Sequence, residues 1–506
     1  MKLSHYTLKN ISTDHIIVPD EDMFELPEKV LQFGTGMLLR GLPDYFIDKA
    51  NRQSLFNGRI VVVKSTKKGD YSEFEKQDGL YTICERGIMN GEKIETDTIS
   101  SSISRVLNAQ NDWEQILECA HNPEIKIIIS NTTEMGIQLV KEDIRRYPPQ
   151  SFPGKLLAFL HNRFMAFHGA KDTGFVIVPT ELVPQNGKKL EAIILELAHL
   201  NGLDNKFIEW LEEHNYFCNS LVDRIVTGMP KPDEKEEYFN NLGYRDELLI
   251  VSEQYRLWAI EGDEHVKEIL SFYQADEAVK IEPDIELYRE LKLRLLNGTH
   301  TLTCGISFLA GLDTVRSSME SISMSVFLEE LMYVEIGPSI PFKVDEDVVI
   351  DFTQKVLDRF RNPHIHHYWK TIAQNYSEKM RVRCIPLLLC YYEKKQTPPP
   401  LITFAFAAYI YYMKAVKMEQ NEYFGNNNGN FYRIEDEMAA YFFELWKNGT
   451  PKSVVGNVLS HSGYWNSNLN WLPGFNHEVL GYLNLMMKDG MISAIKNLVA
   501  DYCTRS

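Results

Sequence analysis

Val30-Leu31-Gln32-Phe33-Gly34-Thr35-Gly36-Met37-Leu38-Leu39-Arg40 reads as a short apolar strand, a glycine-bearing turn and the start of a helix. Glycines in such a turn let the backbone approach a pyrophosphate, and the helix N-terminus beyond them supplies positive potential. A GxG pair is common in ordinary tight turns, so its position carries the weight: it falls at the first strand-to-helix junction. The third glycine of the dinucleotide fingerprint is missing, although Arg40-Gly41 follows. Phe33, Gly34, Thr35, Gly36, Met37 and Leu38 are the candidate cofactor-binding residues.

The alternation continues outward from this turn. Met37 to Asn51 has helical spacing, and Arg59 to Lys64 contains Ile60-Val61-Val62-Val63, a buried parallel strand by composition. Trp113 to Ala120 reads as a helix and Ile125 to Ile129 as a strand. Gly174 to Val178 makes a further strand before Pro179, and Lys188 to Leu200 a helix. Repeated βα units predict an α/β, Rossmann-like doubly wound sheet, with an antiparallel insertion at Leu80 to Arg86 and Lys93 to Thr98. Beyond the acidic connector Ile281-Glu282-Pro283-Asp284 the spacing is helical: Ile285 to Leu296, Thr301 to Leu312, Ser323 to Val334, Val348 to Arg361 and Glu435 to Trp446. The expected organisation is a dinucleotide-binding domain over 1–283 and a mostly α-helical substrate-binding and catalytic domain over 284–506. Gly425 to Asn430 predicts a surface loop.

Bulk properties narrow the partners. With 53 basic and 70 acidic residues the net charge is −17, which argues against nucleic acid or an anionic membrane and leaves a small molecule. The seven cysteines are scattered without a CxxC pair, as expected of reduced thiols in a cytoplasm. MKLSHYTLKN lacks an apolar core, so no signal peptide is expected. Leu401 to Val416 is too short to span a membrane and follows Pro398-Pro399-Pro400, which predicts a buried core helix. Composition leaves a monomer or a small homo-oligomer open.

Lys292-Leu293-Arg294-Leu295-Leu296-Asn297-Gly298-Thr299-His300 brings an amine, an amide and an imidazole into a largely apolar stretch. A dehydrogenase without a metal needs a group to take the hydroxyl proton, and desolvation of a lysine among leucines favours its neutral form. Bringing an ammonium from about 10.4 to near 7 takes roughly 4–5 kcal/mol of differential solvation. On an uninterrupted helix the three side chains span about 140° of arc. Asn297-Gly298 is expected to end one helix and Thr299 to cap the next, aiming all three into one pocket. Lys292 is then general base or acid, Asn297 a donor to the reacting oxygen, and His300 a partner for a neighbouring hydroxyl. An amphipathic lysine and a capping asparagine are the structural alternative.

Other polar groups stand where ligands bind. Asn131-Thr132-Thr133-Glu134 follows the Ile-rich strand, at the carboxyl end that faces the crevice, so Asn131, Thr133 and Glu134 join the cofactor candidates. The second strand ends in Lys64-Ser65-Thr66-Lys67-Lys68 rather than in the acid that binds NAD ribose, which leaves both NAD and NADP open. Asn219 to Arg224 is either a buried ion pair or a substrate contact. Lys379, Arg381 and Arg383 alternate over Ser377 to Cys384, able to pair a carboxylate or to be salt-bridged. His364, His366 and His367 lack a carboxylate pattern, and HExxH is absent, so no metal is expected.

FGTGMLLR, NTTE, NSLVDRIV, the KxxxxNxxH pattern and RFRNP occur in this order, and on them the chain resembles the mannitol dehydrogenase family over nearly its whole length. The resemblance implies a reversible, metal-free, NAD-dependent oxidoreductase. Lys292 would be its catalytic lysine, Asn297 its carbonyl-polarising amide and His300 its substrate-binding imidazole. Gly34 and Gly36 match the cofactor turn, and Asp223 a substrate-pocket acid. Polyol members carry Asp-Asn before Leu-Pro after the fifth strand, where this chain reads Thr180-Glu181-Leu182-Val183-Pro184, so Leu182 cannot assist an oxyanion. They also place Asp and Arg where His367 and Thr371 stand. Both departures point away from a neutral polyol, and a hexuronate-derived substrate is consistent with the nearby cations, Arg361 and Lys379 as substrate-binding candidates with Arg381 and Arg383 close by in sequence. The alternatives are a fructuronate or mannitol-type dehydrogenase, or a non-catalytic nucleotide-sensing protein.

Overall fold

A computed structural model of the chain describes residues 1–65, 71–133 and 135–503, and divides into two units. The first comprises 1–87 and 93–285, the second 88–92 and 286–506.

Six parallel strands run across the first unit in the order Ile103–Asn108, Arg59–Lys64, Glu28–Phe33, Ile127–Ser130, Val176–Pro179 and Tyr216–Phe217. By chain position this is 3-2-1-4-5-6, the doubly wound order of dinucleotide-binding sheets. Both faces are covered, which is why Ile60 to Val63 can be apolar without alternation. Successive residues still point to opposite sides. Leu31, Phe33, Val61, Val63 and Ile128 pack with Trp113 and Leu156 on one face. Val30, Ile60, Val62, Ile127 and Ile129 pack with Phe46 and Trp258 on the other.

The expected antiparallel insertion is present as Tyr81–Met89 and Glu92–Ser100, neighbours in a five-stranded sheet. Its tip counts with the second unit, where the Asn90 N–H donates to Asp358 at 2.8 Å. One expectation is corrected here. Met37 to Asn51 is not one helix but two, Met37–Gly41 and Pro43–Arg52. Leu42, at φ −133° and ψ −78°, leaves the helical region because the ring of Pro43 crowds the residue before it.

Apart from that tip, the regular structure of the second unit's described residues is helical except for a three-stranded antiparallel sheet. The apolar helix Pro400–Tyr412 is buried along its length, as expected, and stops before the strand Ala415–Glu419. The buried Glu335 carboxylate accepts the N–H groups of Leu401 and Ile402, each at 2.8 Å, and so caps this helix through tertiary structure. The loop expected over Gly425 to Asn430 is instead a hairpin, Glu422–Asn427 with Asn430–Ile434. Asn428 and Gly429, at φ 51° and 92°, form its two-residue turn. The run of Asn and Gly residues around the turn hid it from the sequence. Among the described residues no helix is long and apolar enough to cross a membrane.

Candidate active site

Strand Glu28–Phe33 lies between Arg59–Lys64 and Ile127–Ser130, where the sheet order reverses and the loops at the carboxyl ends part. The candidate turn leaves the sheet at this point. Gly34 adopts φ +132°, and a Cβ there would meet Leu39 Cδ1 at 2.8 Å and the Asn131 carbonyl oxygen at 3.0 Å. At Gly36 the space around such a Cβ is empty to 4 Å. Gly36 and Met37 are exposed, Thr35 and Leu38 half-buried, whereas the Phe33 ring is buried 5.2 Å from Phe152. The turn therefore presents open backbone at 35–37, and this bare surface fits a dinucleotide's pyrophosphate.

A buried acid lies beneath the turn. Gln32 Nε2 donates to Asp44 at 3.3 Å and to the Gly34 carbonyl at 3.4 Å. Burial pushes the Asp44 carboxyl up to about 8, and Asp44 Oδ1 and Gln32 Oε1 have no partner among the described residues. Unfolded Asp44 ionises near 3.8 and the folded residue only near 8, so its contribution to stability is full in acid and is lost as the pH rises through that window. The loss at pH 7 is about 4 kcal/mol. Asp44→Asn can donate to Gln32 Oε1 without titrating. The expected result is a higher Tm at pH 8 and a flatter Tm–pH curve between 4 and 8, read by calorimetry.

The loop after Ile127–Ser130 is anchored across the crevice. Asn131 Nδ2 donates to the Thr180 carbonyl at 3.1 Å and to Thr180 Oγ1 at 2.9 Å. Glu181, buried and unmarked by any sequence signal, accepts from Ser130 Oγ at 3.1 Å and from Thr132 N and Oγ1 at 2.8 and 3.0 Å. Thr133 is exposed; Glu134, Lys67 and Lys68 lie outside the described residues. Lys64 is buried, its ammonium 5.9 Å from the centre of the Tyr71 ring. Asp223 is buried at the end of strand Ser220–Asp223 in the first unit. The buried ion pair of that stretch is made by Arg224 with Glu85, at 2.5 Å.

In the second unit the expected break at Asn297-Gly298 does not occur. Gly298 and Thr299 keep right-handed helical angles, Thr299 caps nothing, and Lys292–Gly298 winds as a π-helix between Glu286–Leu291 and Thr299–Leu309. The winding matters for the site. Five residues make about 140° in an α-helix, whereas the wider turn of i→i+5 bonding brings such residues closer together around the axis. Lys292 and Asn297, both half-buried, therefore share one face. Two more π segments, Leu331–Ile336 and Met380–Cys384, pack against this one. Arg294 pairs with Glu290 at 2.9 Å and donates to the carbonyls of Val382 at 2.7 Å and Arg383 at 2.8 Å. No sequence signal marked that brace.

His300 is buried, stacked 4.6 Å from Phe360 and edge-on to His367 at 5.5 Å. Burial, then His367, Arg359, Arg383 and Lys379, holds the imidazole well below its usual range, so it is neutral near pH 7. His300 Nε2 has no hydrogen-bond partner among the described residues. Such an orphan on a neutral ring invites a ligand hydroxyl. Arg361 is engaged with Glu329 at 2.6 Å, and Lys379 with the Ile372 carbonyl at 2.9 Å. Among the described residues no group of three or more His, Cys, Asp or Glu is placed to hold a metal ion.

Family models match both parts of the chain: the mannitol dehydrogenase Rossmann domain over residues 28–272 and the mannitol dehydrogenase C-terminal domain over 284–486. The chain belongs to the mannitol dehydrogenase family. Within the family, the altronate oxidoreductase of Bacillus subtilis strain 168 is 38% identical over 484 residues, 95% of this chain and 96% of that protein. That of Escherichia coli O139:H28 is 36% identical over 483 residues, 94% and 97%. Among solved structures, a substrate-free D-sorbitol dehydrogenase has a TM-score of 0.79 at 20% identity, covering 98% of this chain and all of its own. The Pseudomonas fluorescens mannitol 2-dehydrogenase, in ternary complex with NAD and D-mannitol, has a TM-score of 0.66 at 20% identity, covering 99% and 100%. Both share the mannitol dehydrogenase fold.

Proposed function

We propose that this protein is an NAD-dependent altronate oxidoreductase, which interconverts D-tagaturonate and D-altronate. Its similarity to proteins of that name across both domains carries the reading. The cations around His300 support an acidic substrate over a neutral polyol.

The open turn at Gly34 to Leu38, with Asn131 and Thr133 beside it, would hold NAD. Hydride exchange with the substrate carbon is the chemistry that the bound nicotinamide supplies. The chain's own residues manage the proton and the oxygen. In the reductive direction Lys292 gives a proton from Nζ to the carbonyl oxygen, and in the oxidative direction it takes the hydroxyl proton back. Asn297 Nδ2 donates to that oxygen as negative charge builds on it. His300, held neutral, positions a neighbouring hydroxyl through Nε2.

Initial rates with tagaturonate, fructuronate and fructose, each with NADH and NADPH, test the reading. Tagaturonate with NADH is expected to give the highest kcat/KM. Preference for fructose would overturn the substrate, and preference for NADPH the cofactor. A wild type with no dehydrogenase activity would point to nucleotide sensing.

A further inference from the structure

The cations carried between Arg361 and Arg383 are not equivalent. Arg361 already holds Glu329, with Asp358 at 3.7 Å, and Arg381 lies 5.1 Å from the centre of the Tyr464 ring. Arg383 differs. Its only hydrogen bonds among the described residues leave from Nη1, to Thr301 Oγ1 at 3.2 Å and to the Asn297 carbonyl at 3.5 Å. It makes no ion pair among the described residues and is half-buried. Lys379, equally half-buried and without an acid at ion-pair distance among the described residues, is near enough for the two charges to repel. The Arg383 backbone is fixed by Arg294, and its Nη1 by the helix that carries Asn297 and His300.

A partly desolvated guanidinium without an acid is unfavourable, and an incoming carboxylate relieves it. The planar fork can take both oxygens of that group at once. We infer that Arg383 is the specificity-determining residue of the site, seating the substrate carboxylate on its unused Nε and Nη2, with Lys379 beside it. The inference rests on the keto-acid substrate proposed above.

The test compares wild type, Arg383→Met and Arg383→Lys in NADH-dependent reduction of D-tagaturonate and of D-tagatose, which has a hydroxymethyl group in place of the carboxylate. In Arg383→Met the kcat/KM for tagaturonate is expected to fall on the order of 100-fold, mainly through KM, against a loss on tagatose at least about 10-fold smaller and with NADH affinity unchanged. Arg383→Lys keeps the charge but not the fork, so a loss of about 10-fold on tagaturonate alone is expected. It carries the test should the methionine variant not fold. Equal losses on both substrates, or undiminished turnover of tagaturonate, overturn the assignment while leaving the proposed activity standing. A wild type that does not reduce tagaturonate overturns both.

Discussion

Lys292→Ala is expected to lower kcat in both directions about 10³-fold while leaving NADH affinity within a factor of two, by fluorescence titration. Proton transfer by a positioned side chain contributes roughly 10²–10⁴-fold, and no other described amine shares the π-helical face of Lys292 with Asn297. Lys292→Arg is expected to be nearly as inactive, because a guanidinium does not give up its proton in the working pH range. Added small primary amines should restore part of the alanine variant's rate, an effect that a merely structural lysine would not produce. Turnover within a few-fold of wild type in Lys292→Ala would remove that residue from the chemistry.

Gly34→Val is expected to cost both cofactor affinity and stability. The backbone there holds φ +132°, open in practice to glycine alone, and an added Cβ meets Leu39 Cδ1 at 2.8 Å and backbone oxygen of Asn131 at 3.0 Å. The strain is about 1–3 kcal/mol. The turn must move to relieve it, and NADH affinity should fall at least about 10-fold as the Tm drops by several degrees. Gly36→Ala separates the two effects. Its φ of −66° suits any residue and nothing lies within 4 Å of the added methyl, so stability should be unchanged. The methyl nevertheless stands on the exposed side of the turn, and NADH affinity should fall. If Gly36→Ala binds NADH as tightly as wild type, the pyrophosphate lies elsewhere.

The parallel, doubly wound character of the first unit's sheet was legible because two-sided burial forces runs such as Ile60 to Val63, and helices must separate parallel strands; the order of its strands was not. The Asn-rich hairpin after Glu422 was not, since its Asn and Gly residues read as a loop and the alternation of its last strand is confined to Tyr432 and Ile434. At Asn297-Gly298 the local signals named a helix end that does not form. Capping preferences decide a free helix end, whereas here the segment is packed among two other π turns and braced by Arg294 through carbonyls nearly ninety residues further on. Glu181 was silent for a similar reason: its worth lies in three donors from residues 130 and 132, which only the fold brings to it.

Sequence by itself determined the fold class, and it nominated the cofactor turn and the amine, amide and imidazole on which the proposed function rests. Each of these follows from periodicity or from chemistry carried by a few adjacent residues. Tertiary structure alone decided the π winding that brings Lys292 and Asn297 toward one face, the neutrality of His300, and that Arg383 makes no ion pair among the described residues. Those properties are sums over neighbours distant in the chain, since burial and charge act through space and leave no local pattern to read.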